Sequence, residues 1–227
     1  MTVRTGGRTG GSTAGGGTEQ ALVRALLDRQ KRTYAAEAGI RLRDTPAPLY
    51  QALVLAVLLS ARIRGEIAVA AARALFDAGL RDPRAMAKAS WQERVDALGA
   101  GGYRRYDERT STQLGKGAEL VLERYGGDLR RLREEADPKK ALLDIPGIGP
   151  TGADIFLREV QGVWPELAPY LDRKALDGAR RLGLPASPAK LGGLVTGGDM
   201  PRFVDGLVHA ALDKPLADEV RTAAGAI

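Results

Sequence analysis

Apolar residues recur along this chain at helical spacing, and no stretch shows the strict alternation of a strand. Over residues 18–38, Ala21, Leu22, Ala25, Leu26 and Tyr34 mark one side of a helix, and Gly39 stands where a C-cap is wanted. Thr45-Pro46-Ala47-Pro48 breaks the chain before the next element. Residues 49–63 are apolar nearly all round, the pattern of a helix at the centre of a bundle, closed by Ser60, Arg62 and Arg64. An Ala-rich helix follows over 67–78, and Asp82-Pro83 starts a short one. Ser90 with Glu93 reads as a capping box for a helix over 91–98. Residues 103–125 form the longest candidate, with Leu114, Ala118, Val121, Leu122 and Tyr125 on one face. Asp137-Pro138 opens another helix, and further helices are predicted over 151–162, 169–182, 201–212 and 215–224. The class is all-α. Residues 1–18, rich in Gly, Thr and Ser, read as a flexible tail.

Composition narrows what such a bundle can do. With 227 residues and 44% hydrophobic side chains, it can bury one large core or two small ones. The longest apolar run, residues 52–59, is too short to span a membrane. There is no cysteine, so disulfides, thiolate-bound zinc and iron–sulfur clusters are excluded. His209 is the only histidine, and no paired metal-ligand spacing accompanies it. A packed histidine is the simpler reading. The net charge of +6 suits a polyanionic partner without requiring one. The N-terminus has no apolar signal core, which predicts a cytoplasmic protein, nucleoid-associated in a bacterial cell.

The candidate chemistry centres on residues 142–157, Leu-Leu-Asp-Ile-Pro-Gly-Ile-Gly-Pro-Thr-Gly-Ala-Asp-Ile-Phe-Leu. It reads as a helix end, a tight turn and a second helix. Gly147 and Gly149 are expected to take positive φ and to let a ligand approach the backbone. Free amides at the second helix's start, with its positive dipole end, suit a phosphate. The stretch resembles the helix-hairpin-helix motif, in which such amides hold the DNA backbone without reading sequence. Gly147, Ile148, Gly149, Thr151 and Gly152 are its DNA-binding positions here.

The wider order of elements resembles the endonuclease III superfamily of DNA glycosylases, over roughly residues 48–183. Three features carry the likeness. Residues 53–61, Leu-Val-Leu-Ala-Val-Leu-Leu-Ser-Ala, match an apolar helix with a Leu-Leu-Ser-Ala ending. Gly102-Tyr103-Arg104 opens a long helix that ends at Tyr125-Gly126-Gly127. Asp172 follows Gly149 by 23 positions, the place of the family's cleft aspartate. The resemblance implies a six-helix barrel over 44–162 carrying the hairpin, and a second helical domain from 19–43 plus 163–227, flanking a DNA-binding cleft. It implies a monomer that extrudes a damaged base from double-stranded DNA, because the glycosidic carbon is inaccessible in the stack. Asp172 would be the catalytic carboxylate, stabilising positive charge on the sugar or deprotonating a nucleophile. Its position also suits a plain helix N-terminal charge.

Several positions depart from the family pattern. Thr151 stands where bifunctional members carry a lysine, and a hydroxyl cannot form a Schiff base. Lys139, Lys140 and Lys174 are nearby, but read as surface or phosphate-facing charges, with Lys174 pointing away from Asp172. Arg62 replaces a gap-filling glutamine; it can fill the gap, bind phosphate or simply lie on the surface. Gly102 replaces a bulky wedge, leaving Tyr103 as either a substitute wedge or a core tyrosine. Arg173-Lys174 replace the usual Thr-His after the aspartate. Arg104, Arg105, Arg109, Arg180 and Arg181 are further candidates for the cleft lining, diluted by Asp107, Glu108 and Asp177. Trp91 and Trp164 read as core or hinge anchors. The family's hairpins often hold a monovalent cation on backbone carbonyls, and Leu143, Ile145 and Ile148 are the matching positions. The expectation is a DNA glycosylase-like repair protein that hydrolyses the N-glycosidic bond without hairpin-lysine lyase chemistry. The alternatives are a non-catalytic DNA-binding protein on the same scaffold, and a helical interaction module with no DNA role.

Overall fold

The structure, a computed structural model, describes residues 14–225. The described residues are helical, with no strand among them. Helix α1 is Ala14–Arg29 and α2 is Tyr34–Glu37. The single helix expected over 18–38 is therefore broken. Thr33 takes an extended conformation and its side chain accepts the Ala36 amide, an N-cap that restarts the helix. The helix also begins earlier than expected, so residues 14–17 belong to α1 rather than to a tail. The rest of the proposed tail, residues 1–13, lies outside the described residues.

Helix α3 (Pro46–Leu59) is the centre of the first half, with Leu49, Tyr50 and every residue from Ala52 to Leu58 buried. Around it lie α4 (Gly65–Asp77), α5 (Pro83–Lys88), α6 (Trp91–Ala100), α7 (Asp107–Tyr125), α8 (Pro138–Leu142) and α9 (Pro150–Val160). The Ser90–Glu93 capping box is present at α6. Helix α7 starts four residues later than the pattern suggested. Gly102 has a φ of +81°, and the turn it makes sends the Tyr103 ring into the core before the helix begins. Arg94 is buried, with its guanidinium donating to the carbonyls of Met86, Ala89 and Ser111, so this charge serves the packing of α5, α6 and α7.

The second half comprises α10 (Arg173–Leu182), α11 (Pro188–Gly192), α12 (Met200–Leu212) and α13 (Lys214–Ala223), packed with α1. Leu22, Leu26, Ala179, Phe203 and Leu207 form its core. A Cβ added to Gly178 would lie 1.8 Å from the Leu207 carbonyl oxygen, so α10 and α12 cross in backbone contact. Ala35, Ala38 and Ile40 pack with the first cluster, which runs on to Trp164. Two long-range bonds stitch the halves together at α2. The Tyr34 amide donates to Asp205 on α12 at 2.9 Å, and the Ala35 amide to Glu159 on α9 at 3.3 Å. No helix among the described residues is long and apolar enough to cross a membrane.

Candidate nucleic-acid interface

Helices α8 and α9 form the hairpin, joined by residues 143–149. Gly147 has a φ of +93°, and an added Cβ would come within 3.2 Å of Val57 and Gln113. It is therefore required both by conformation and by space. Gly149 differs from expectation. Its φ is −100° and nothing lies within 4 Å of an added Cβ, so neither strain nor packing demands glycine there. Gly149 caps α9 without a side chain, and Pro150 supplies no amide. Among the described residues, the amides of Gly147, Gly149 and Thr151 find no acceptor, and those three residues reach solvent. They form an open row at a helix N-terminus, where the dipole favours an anion. Ile148 and Gly152 are buried; Gly152 lets α9 pack against Ala56 and Ser60 of α3, so their share in any interface is backbone only.

Beyond the first turn of α9 opens a cleft of about 750 Å³ between the two halves. Thr151, Asp154, Ile155 and Arg158 line it from α9, and Asp172, Arg173 and Lys174 from the start of α10. Ser60, Ala61, Tyr34, Asp177, Val208 and Leu212 are also among its walls. Asp172 is the N-cap of α10: its Oδ1 accepts the Ala175 amide at 3.0 Å. Its Oδ2 accepts from Arg158 Nη1 at 2.8 Å, in an ion pair whose side chains are 6% and 9% exposed. The structure thus brings Thr151 and Asp172 into one cleft.

No family model and no curated protein sequence is similar to the chain. Solved structures are. A thermostable thymine-DNA glycosylase matches at 19% identity over 88% of each chain, with a TM-score of 0.54. Endonuclease III in a non-covalent complex with DNA matches at 16% identity over 82% of this chain and 81% of that one, with a TM-score of 0.51. The chain has the helix-hairpin-helix DNA glycosylase fold.

Within this glycosylase fold, the remaining expected residues are placed unevenly. Arg62 is exposed and shares a second, smaller pocket of about 290 Å³ with Arg109, Gln113 and Gly147. Tyr103 lines the same pocket but is 1% exposed, so it is a core residue and not a projecting wedge. Arg104 is exposed but lines neither pocket. Lys174, expected to point away from Asp172, lines the cleft with it, because both sit at the first turn of α10. Among the described residues Arg62, Arg104, Arg109, Arg173 and Lys174 make no ion pair, whereas Arg180 pairs with Asp177 and Lys139 with Asp154. Trp164 is fully buried, as an anchor should be, with its indole N–H on Asp44; Trp91 is 41% exposed.

The sequence reading missed the charges behind the cleft. Arg158 and Glu159 interrupt the apolar run Ile155-Phe156-Leu157 and Val160, which was the available signal for buried charge. Glu159 on α9 and Asp205 on α12 are 3% and 2% exposed. Burial, then the charge and contact of Asp205, hold Glu159 well above the usual carboxyl range. Burial also raises Asp205, but Arg158 opposes that rise. Glu159 is therefore the member of the pair pushed further toward its protonated form, and its Oε2 finds no hydrogen-bond donor. Beside them the Tyr34 ring stacks on His209 at 4.8 Å.

This pair makes stability pH-dependent. The unfolded chain releases the Glu159 proton near its ordinary value of 4.5, while the folded chain keeps it. The group's contribution is thus fully present below that value and is lost as pH rises toward the folded one. Glu159→Gln removes this loss. Denaturant unfolding between pH 5 and 8 should show the variant gaining on wild type by up to about 1.4 kcal/mol per pH unit. A difference that does not change with pH would mean that Glu159 is ionised in the folded chain.

Proposed function

We propose that the protein is a DNA glycosylase-like base-excision protein acting on duplex DNA that carries a damaged base. The observation that carries this reading is the junction of two features: an open row of hairpin amides, and a buried carboxylate in the cleft beside it. The amides of Gly147, Gly149 and Thr151 take a backbone phosphate, and Arg62, Arg109, Arg173 and Lys174 surround that track with unpaired positive charge. The turn carbonyls of Leu143 and Ile148 accept no hydrogen bond among the described residues, and that of Ile145 accepts one, from Ile148. In this reading these carbonyls hold a monovalent cation, which adds positive charge beside the phosphate. The two hydrophobic clusters serve as the cores of two domains on either side of the bound duplex.

The extruded nucleotide enters the cleft, and its sugar comes to Asp172. As the glycosidic C–N bond breaks, the base departs with the electron pair, and positive charge develops on the sugar. The carboxylate stabilises that charge. Water adds to the sugar carbon and gives its proton to Asp172, which later releases it to solvent. Thr151 lies in the same cleft without an amine, so no Schiff base forms from that position.

A second reading is favoured by one observation. Both Asp172 oxygens are already engaged, one by the α10 amide and one by Arg158, as they would be in a purely structural role. The scaffold would then bind DNA without chemistry.

Both readings require binding to arbitrary duplex DNA that weakens steeply with salt, because neutralised phosphates release counterions. Gly149→Val tests the grip without disturbing the fold, since space and φ both admit a side chain there. It should weaken binding about tenfold on every sequence, as expected for a blocked phosphate contact; unchanged binding would remove the hairpin from the interface. To separate the two readings, duplexes each bearing one lesion are incubated with wild type or Asp172→Asn and then treated with alkali. Strand breaks that depend on Asp172 and appear only after alkali are the expected result. Binding without breaks on any lesion would favour the non-catalytic scaffold.

A further inference from the structure

The mechanism above leaves the buried charges behind Asp172 without a role. Three of them share with Asp172 the space where α9, α12 and the start of α10 meet. Arg158 and Glu159 are neighbours on α9, Asp205 reaches them from α12, and Asp172 closes the group from the α10 cap. All four side chains are nine-tenths or more buried. We propose that Arg158 is a positioning residue for the cleft carboxylate, holding Asp172 Oδ2 in the cleft wall. This deepens the glycosylase reading and rests on it.

Arg158 faces two carboxylates, Asp172 by hydrogen bond and Asp205 through space. Burial raises both Glu159 and Asp205, and the charge of Arg158 opposes the rise at Asp205. Asp172 is held in one rotamer by the guanidinium on one oxygen and the α10 amide on the other. The Arg158 Nε, buried and without a partner, belongs to the same picture, because the fork is aimed by its Nη1 at Asp172 and not by a second local acceptor.

The other groups facing this cluster are Tyr34 and Glu37 from α2, Asp154 from α9, Tyr170 before α10, Arg173, Lys174 and Asp177 from α10, and His209 from α12. Tyr34 and Tyr170 are raised, chiefly by burial, and stay neutral across the working range.

The test is the pH profile of kcat/KM for Arg158→Gln and Arg158→Lys on whichever lesion duplex the wild type processes. Removing the cation from a buried carboxylate should move the acid limb of Arg158→Gln to higher pH by about one unit or more, with kcat reduced and duplex affinity unchanged. Arg158→Lys restores the charge but not the fork. Its limb should stay with the wild type while kcat falls about tenfold, because the carboxylate is no longer held in one geometry. If Arg158→Gln does not fold, Arg158→Lys alone decides, and a kcat equal to wild type overturns the proposal. A folded Arg158→Gln with an unmoved limb also overturns it. Failure of the wild type to act on any lesion sinks the glycosylase reading instead. The positioning claim is then read directly by NMR of the full chain, where the Asp172 side chain should hold one rotamer in wild type and sample several in Arg158→Lys. A single rotamer shared by both would overturn it.

Discussion

The site depends on one buried ion pair. Arg158 reaches from the hairpin's second helix to the carboxylate that caps α10, at 2.8 Å and almost out of water. Two charges removed from solvent lose several kcal/mol of hydration each, and only good geometry with further hydrogen bonds offsets that loss. Here Asp172 obtains it by capping α10, and the backbone of that helix fixes the second oxygen. The pair therefore does more than join two side chains. It sets the start of α10 against α9, and with it the distance between the hairpin amides and the cleft carboxylate.

In the proposed function that distance gives the fold its use. A phosphate held on the amides of Gly147, Gly149 and Thr151 would place a nucleotide's backbone at the mouth of the cleft, with Asp172 in the wall beyond Thr151. Both come from the same helix junction, so gripping and chemistry cannot drift apart without breaking the pair between them. In the same proposal, the exposed arginines and lysine on the rim, unpaired among the described residues, would add affinity that is blind to sequence. Lesion choice would then fall to the cleft walls, where Tyr34, Ile155, Val208 and Leu212 present mostly apolar surface.

Local signals in the chain were legible and long-range ones were not. The all-apolar helix around Leu55, the Ser90–Glu93 capping box and the positive φ of Gly147 follow from short-range rules, and the structure has them. Asp172 could be placed at a helix start for the same reason. The break at Thr33 was hidden because Ala21 to Tyr34 keeps helical spacing across it, and only the contact of α2 with Asp205 and Glu159 explains why the chain turns there. Tyr103 reads equally well as wedge or core from sequence, and burial decides it. Gly149 shares a motif with Gly147 but not its conformation. Arg158 was overlooked because a charge on an amphipathic helix normally faces water, and its partner lies across a loop on another helix.

The account stands on the coupling between hairpin helix and cleft carboxylate, and a double-mutant cycle measures it directly. Arg158→Met, Asp172→Asn and the double variant are unfolded in denaturant at neutral pH alongside wild type. Asparagine keeps the N-cap, so the cycle isolates the charge pair. Each single change should cost about 3 kcal/mol or more by leaving a buried charge alone. The double variant should cost far less than their sum, with a coupling of about 2–3 kcal/mol. Additive losses would mean that Arg158 and Asp172 do not act as one unit, and the central claim would fail.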